Sequence, residues 1–115
     1  MEKYRVTIKN IDIEDKYIVS VHNNLEEKVL IYTEKDGTNT SFDYKNNILR
    51  RDNDEMVIEF KFILGEVTKP KMSSKKLNGD LEIEVLTKEL KVTDSIIKVV
   101  YVVNDLTFEY TLEKE

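Results

Sequence analysis

The sequence predicts an all-β protein that folds as one antiparallel up-and-down meander barrel with about 8–10 strands. Three observations support this prediction. The chain lacks Ala and Gln but is rich in Val, Ile, Thr, Tyr and Phe, the residues that favour strands. Apolar and polar residues alternate nearly from end to end. The alternating segments are joined by short turns, and such short connections link antiparallel neighbours.

Length and composition limit the classes of function. The 115 residues allow one domain, residues 1–115. The net charge of −5 is opposite to that of a phosphate-backbone binder, so we expect no nucleic-acid partner. The absence of Cys and the single His argue against disulfides and a metal site, and no cofactor motif is present. We expect a cytoplasmic protein with no membrane segment, because no apolar run approaches about 20 residues.

The first two strands are predicted over residues 4–8 and from residue 16 to Asn23-Asn24. Ile11 and Ile13 continue the alternation on the opposite parity, which predicts a β-bulge near Asn10. The apolar faces of these two strands consist of Tyr4, Val6, Ile8, Tyr17, Val19 and Val21.

The next three strands are predicted to form two hairpins. Residues 29–34 are apolar on both faces, with Leu30, Tyr32 and Glu34 on one of them. Asp36-Gly37 and Asn46-Asn47 supply the residues that tight turns need, and they flank the fourth strand. A short fifth strand follows over residues 48–51. The predicted apolar face of the fourth strand consists of Thr38, Thr40, Phe42 and Tyr44.

The middle of the chain is less regular. The even positions of residues 56–62 should face the core. Residues 64–76 contain the single proline and form either an edge strand or the one long loop. Asn78-Gly79 predicts a hairpin. The strand after this hairpin would place Leu81, Ile83 and Val85 on its apolar face.

The last strands alternate most regularly. Leu90 and Val92 lie on the opposite parity to the preceding strand, which predicts a second bulge near Leu86-Thr87 or a strand break. Turns at residues 93–95 and at Asn104-Asp105 separate the remaining strands. We expect the core to include Phe60, Phe62, Leu81, Ile83, Phe108 and Tyr110.

Several of these segments resemble the YwiB-like family of small bacterial proteins of unknown function. The resemblance spans about residues 28–112, in the same order and with similar spacing. It implies a calycin-like barrel and brings no established activity. The segments that carry it are Val29-Leu30-Ile31-Tyr32-Thr33-Glu34, Thr40-Ser41-Phe42, Ile48-Leu49-Arg50-Arg51, Gly79-Asp80-Leu81-Glu82-Ile83, Thr87 with Leu90, and residues 97–101.

Most chemistry-bearing residues have a simple structural explanation. His22 shares a strand face with Ile18 and Ser20, so we expect a partly exposed residue at the barrel rim. The three glycines stand alone and form no phosphate-binding loop. No catalytic motif is visible, and we expect no enzyme. Two carboxylate pairs should form outward charge pairs with Lys61 or Lys98 across the sheet, namely Glu82 with Glu84 and Glu109 with Glu113.

One group of residues predicts a site. Arg51 shares its strand face with Leu49 and Arg50 shares the other with Ile48, so we expect one of the two to point into the barrel, with Arg51 as the candidate. A buried arginine needs a partner, because stranding one member of a buried ion pair costs about 3–5 kcal/mol, and Glu34 is the candidate. Three further polar side chains lie on inward faces beside apolar ones, as in ligand cavities. The candidate ligand-binding residues are Tyr32, Glu34, Thr40, Arg51 and Tyr101.

These residues leave three functional hypotheses. The first is a binding module, whose barrel holds a small, partly apolar or anionic ligand that Arg51 neutralises. The second is a filled barrel, whose polar interior fixes the strand register and whose surface or self-association carries the function. An enzyme with Glu34 as general base is the third, and it lacks a visible nucleophile. The volume of the interior distinguishes the first two.

Overall fold

The structure, a computed structural model, describes residues 1–75 and 83–115 and contains strands and turns throughout these ranges. The all-β prediction is confirmed. Within the described ranges the strands are β1 (Glu2–Lys9), β2 (Glu14–Asn24), β3 (Val29–Thr33), β4 (Asn39–Asp43), β5 (Ile48–Asp52), β6 (Met56–Lys61), β7 (Val67–Thr68), β8 (Lys71–Ser74), β9 (Val85–Val92), β10 (Ile96–Val103) and β11 (Leu106–Lys114).

These strands form one antiparallel sheet that curls into an up-and-down barrel. Their spatial order is β7-β9-β10-β11-β1-β2-β3-β4-β5-β6-β8, so β1 lies beside β11 and the two ends of the chain meet. The edge strands β7 and β8 are consecutive in sequence. Thr68 and Lys71 are three residues apart, so their Cα atoms are separated by at most about 11 Å. The two edges of the sheet are therefore held close together by the chain itself.

The turns follow the residues that predict them. Gly37 adopts a φ of +91°, which the β3–β4 connection requires and which favours glycine. Asn104 and Asp105 have φ values of 50° and 63°. Two successive positive values are typical of the type I′ turn, whose twist matches that of the flanking strands. The predicted tight turn between β10 and β11 is confirmed.

The bulge predicted near Asn10 is wrong. The Asn10 side chain accepts hydrogen bonds from the backbone N–H groups of Asp12 and Ile13, both at 2.9 Å, and its own N–H donates to the Ile13 carbonyl. This closes a turn between β1 and β2. Ile11 and Ile13 do not continue a strand and are 89% and 64% exposed.

The second predicted bulge is present in β9. Val100 pairs with Glu89 and Tyr101 pairs with Thr87, so Lys88 is the extra residue. The irregular segment forms two short strands, β7 and β8, which raises the strand number above the predicted range. The hairpin predicted at Asn78-Gly79 and the positions of Leu81 and Glu82 lie outside the described residues.

The core is built from the inward faces of most strands. Phe62 and Tyr110 are buried as predicted, and Phe60 packs against the buried cluster. Phe108 and Ile83 are only half-buried, so their predicted place in the core is wrong. Phe108 lies close to the β10–β11 turn at one end of the barrel, and Ile83 precedes β9 rather than lying within a strand.

The backbone pairing between β2 and β3 is incomplete. The first eight residues of β2, 14–21, pair with β1, but β2 pairs with β3 only over residues 22–24. The two strands therefore separate towards the barrel end that carries the turn at residues 10–13 and the turn at residues 34–38. This separation leaves a cleft between β2 and β3.

Candidate functional site

An ion pair between Glu34 and Arg51 lies beside this cleft. The register of β3, β4 and β5 places Tyr32 opposite Thr40, and Thr40 opposite Arg51. Glu34 directly follows β3, and Arg51 donates to its carboxylate twice, from Nε at 2.8 Å and from Nη2 at 2.9 Å. The Glu34 side chain is 5% exposed and the Arg51 side chain 37% exposed. The predicted partnership is confirmed, and Arg51 reaches from the interior to the cleft.

Two hydroxyl groups complete the coordination of Glu34. The Thr40 hydroxyl donates to Oε2 at 2.6 Å, and the Tyr17 hydroxyl donates to Oε1 at 3.2 Å. Burial alone would lower the pKa of Arg51, but its hydrogen bonds to Glu34 and the charge of that carboxylate raise it overall. Burial and the nearby carboxylate raise the pKa of Tyr17. The buried charge of Glu34 is thus fully paired.

The Tyr32 hydroxyl does not bond to Glu34 and has a different partner. Its hydroxyl shares a hydrogen bond of 2.7 Å with the hydroxyl of Tyr110. Burial raises the pKa of both tyrosines. The ring of Tyr110 also stacks on Phe42, with the ring centroids 6.3 Å apart. Tyr32 therefore belongs to the edge of the site, where it joins β3 to β11 through the core.

Tyr101 belongs to a row of aromatic rings. It contacts Phe60, Phe62 and Phe108 at centroid distances between 5.3 and 5.7 Å. Burial raises the pKa of Tyr101, and the charge of Arg51 partly opposes this effect. Its hydroxyl makes no hydrogen bond with another described residue. Tyr101 is thus held in place by the contacts of its ring.

A small cavity lies among these side chains. Its volume is about 60 Å³, enough for about two water molecules. Four of the five predicted site residues line it, and Thr40 is connected to it through Glu34. Its lining consists of Ile8, Tyr32, Glu34, Leu49, Arg51, Phe60, Tyr101 and Tyr110. Among the described residues, the barrel interior around the predicted site is therefore nearly filled.

The cleft outside this cavity is larger, about 280 Å³. Ile8, Glu34 and Arg51 border both spaces. Sequence reasoning missed Tyr17 and Phe108 as site residues because their parity indicated core positions. For Phe108, the nearby turn at Asn104-Asp105 was a signal that could have indicated a position at the end of the barrel. The described residues of the cleft are Ile8, Lys9, Asn10, Ile13, Asp15, Tyr17, Glu34, Lys35, Asp36, Arg51 and Phe108.

The two lysines of the cleft are already paired. Lys35 contacts Asp15 at 2.6 Å and lies 5.1 Å above the ring of Tyr17. Lys9 contacts Glu109 at 3.1 Å. The Asp15–Lys35 pair and the Tyr17–Glu34 hydrogen bond bridge the gap where β2 and β3 lack backbone pairing. These side-chain contacts therefore link β2 and β3 where their backbones do not pair.

The other residues singled out by sequence take no part in this site. His22 is exposed in β2, opposite Ile31. Glu109 forms an ion pair with Lys98, as expected, and a second one with Lys9. No group of three potential metal ligands occurs in residues 1–75 and 83–115. The same ranges contain no helix that is long and apolar enough to cross a membrane.

A second recess, of about 430 Å³, lies at the opposite end of the barrel. Buried Leu30 and Ile97 contribute to its lining. Its tyrosine hydroxyls have partners: that of Tyr4 donates to Glu2 and that of Tyr44 donates to Asn23. Because the tyrosine hydroxyls of this recess are paired, whereas Arg51 Nη1 donates to no other described residue, we regard the cleft between β2 and β3 as the candidate site.

Comparison with known proteins supports the fold. The structure is similar to the crystal structure of the ywiB protein from Bacillus subtilis, with a TM-score of 0.60 and 16% sequence identity. The match covers 98% of this chain and 89% of that one. No protein-family model and no curated protein matches the chain. The YwiB-like fold is thus supported, and the neighbour's name indicates no enzymatic activity.

Proposed function

We propose that the protein is a non-catalytic binding module for a small, partly apolar ligand, held in the cleft between β2 and β3. The observation that carries this proposal is the position of Arg51. Its guanidinium is anchored by Glu34, yet its side chain remains 37% exposed and borders a space of about 280 Å³. Ligand sites combine apolar walls with a few fixed polar groups in this way.

The volumes of the two spaces favour the cleft over the cavity in the barrel interior as the place for a ligand. The cavity inside the barrel has room for about two water molecules, whereas small-molecule sites typically have about 300–1,000 Å³. The cleft lies near the lower end of that range. A ligand would therefore contact Arg51 from outside and reach the interior with one small group at most.

The hydrogen bonding of Glu34 argues for binding rather than catalysis. Its two carboxylate oxygens accept four hydrogen bonds, from Arg51, Thr40 and Tyr17. A general base needs free access to the proton it removes, and this carboxylate has little.

The chain contains no Cys, so no disulfide depends on an oxidising compartment. We place the protein in the bacterial cytoplasm.

A surface role is the second candidate, and exposed apolar residues favour it. Ile11, Ile13 and Leu106 are 89%, 64% and 49% exposed. They lie in or beside the turns at the cleft end of the barrel, and Ile13 lines the cleft. Exposed apolar patches often mark interaction sites. Self-association through this end would bury them.

Native mass spectrometry of freshly purified protein tests the proposal. We expect an added mass on the wild type that is lost in Ile13→Asp, because this change puts a negative charge in the apolar lining of the cleft at an exposed residue, without disturbing the core. Ile18→Asp, at an exposed position on the outer face of β2, is the matched control and should retain the mass. A monomer without ligand contradicts the binding module. A dimer that Ile13→Asp dissociates favours the surface role.

A further inference from the structure

Hydrogen-bond donors are left over around the small cavity. Arg51 uses Nε and Nη2 for Glu34, and Nη1 donates to no other described residue. Tyr101 lines the same cavity, and its hydroxyl is likewise without a hydrogen bond among the described residues. Buried and half-buried polar groups normally find partners. Two residues that line the cavity therefore each carry a donor with no acceptor in the described part of the chain.

The strongest acceptor at this cavity is already in use. Glu34 accepts four hydrogen bonds, and in the Tyr32–Tyr110 pair one hydroxyl donates to the other. Arg51 Nη1 can only donate, so the group that it lacks is an acceptor, such as an oxygen atom. In the absence of a ligand, one or two water molecules can fill this place.

The charged side chains of the cleft favour a ligand whose hydrogen-bond acceptor is neutral. Arg51 is already neutralised by Glu34, and among the described residues of the cleft the cationic and acidic side chains are equal in number. An anionic ligand would bring a second negative charge next to the buried carboxylate, and like charges in a poorly solvated site repel strongly. The cationic side chains are Lys9, Lys35 and Arg51, and the acidic ones are Asp15, Glu34 and Asp36.

The cavity and the cleft are adjacent and share apolar lining. Ile8 borders both spaces, and Phe108 lines the cleft while stacking on Tyr101 with a centroid distance of 5.6 Å. A flat or aliphatic group lying against Phe108 and Ile8 would have its end directed towards Arg51 and Tyr101. The walls thus suit an apolar body, and the inner end suits one polar group.

We propose that the cleft binds a neutral ligand whose carbonyl or amide oxygen accepts hydrogen bonds from the Tyr101 hydroxyl and Arg51 Nη1, while its apolar part lies against Ile8 and Phe108. This inference rests on the proposed function and names the class of ligand. It replaces the expectation that Arg51 neutralises an acid, because Glu34 has that role.

Two probes of the same shape test the inference. 3-Phenylpropanamide carries the neutral acceptor, and 3-phenylpropanoate carries a charged one. Titration at pH 7.5, followed by amide chemical shifts of ¹⁵N-labelled protein, gives both dissociation constants. We expect the amide to bind at least about tenfold more tightly than the acid, with shifts at residues around Tyr17 and Phe108.

Tyr101→Phe removes the hydroxyl and keeps the ring. This variant should fold normally and bind the amide about three- to tenfold more weakly, the usual effect of one hydrogen bond. Tyr44→Phe is the matched control, because its hydroxyl bonds to Asn23 at the other end of the barrel, and it should bind like the wild type.

The outcomes separate the two proposals. Equal binding of acid and amide, or tighter binding of the acid, would overturn the inference and leave the binding module in place. An unchanged affinity of Tyr101→Phe for the amide would also overturn it. Absence of cleft shifts with both probes would contradict the inference, and if native mass spectrometry also found no added mass, the proposed function would fail with it.

Discussion

Glu34 and Arg51 are separated by 17 residues in sequence and joined by two hydrogen bonds, of 2.8 and 2.9 Å, in the barrel. The carboxylate is buried and the guanidinium reaches the cleft. Removing Arg51 would leave a charge that water cannot solvate, whereas removing both groups would leave none. The pair thus stabilises the fold and at the same time holds Arg51 in a fixed position beside the candidate ligand site.

The Thr40 hydroxyl should stabilise the Glu34–Arg51 pair. Thr40→Val removes a hydrogen bond to a buried carboxylate and should lower the free energy of unfolding by about 1.5–3 kcal/mol, as measured by urea denaturation. Thr33→Val is the control, since its hydroxyl makes an exposed contact of 3.3 Å with Asn39, and it should change stability by less than about 0.5 kcal/mol. Equal effects of the two changes would argue against a buried Glu34 network.

Phe62 and Phe108 should differ in their contribution to stability. Phe62 is 1% exposed, so Phe62→Ala should cost about 3–5 kcal/mol. Phe108 is half-buried, and Phe108→Ala should cost about 1–2 kcal/mol, because less apolar area is lost. Chemical denaturation of both variants checks this order. A larger loss for Phe108→Ala would mean that the cleft end of the barrel is more closed than the structure indicates.

Alkaline pH should destabilise the protein. The pKa values of Tyr17, Tyr32 and Tyr110 are raised by burial. Each folded-state pKa lies above the unfolded value of about 10, so the stabilising contribution is present below about pH 10 and is lost as the pH rises further. Unfolding free energies from pH 8 to 11, with phenolate absorbance followed in parallel, test this. Ionisation of all six tyrosines in the folded protein near pH 10 would contradict it.

The incomplete pairing of β2 with β3 should be visible in amide hydrogen exchange. Along residues 14–21 of β2, alternate backbone N–H groups point away from β1, and no strand pairs with them there. These amides should exchange much faster than the alternate amides of the same segment, which point towards β1 and are hydrogen-bonded to it. Uniformly slow exchange along β2 would mean that β2 and β3 are paired along their whole length.

The sequence predicts the strands and the Glu34–Arg51 pair because both depend on local rules. Period-two alternation assigns inward faces, and a charged residue on an inward face needs a partner. Tyr17 was assigned to the core by the same rule. Its part in the site arises from the separation of β2 and β3, which depends on the twist of the whole sheet and leaves no local signal.

The turn at Asn10 has a different explanation. Alternation around Ile11 and Ile13 suggested a continuous strand, but the Asn10 side chain bonds to the backbone that follows it. Asparagine commonly closes turns in this way, so the signal was present and the alternation outweighed it in the prediction. The balance of charges in the cleft also needed the structure, since only the contacts show which charged side chains line it and that Lys9 and Lys35 are paired.

A double-mutant cycle on Glu34 and Arg51 tests the central claim most directly. Each single change to Ala should destabilise the protein by about 3 kcal/mol, and the double variant should recover part of the loss, giving a coupling energy above about 1 kcal/mol. Arg50→Ala is the control: its side chain is 47% exposed, and the change should cost less than about 0.5 kcal/mol. Additive effects of less than about 0.5 kcal/mol at Glu34 and Arg51 would contradict a buried, coupled pair beside the cleft.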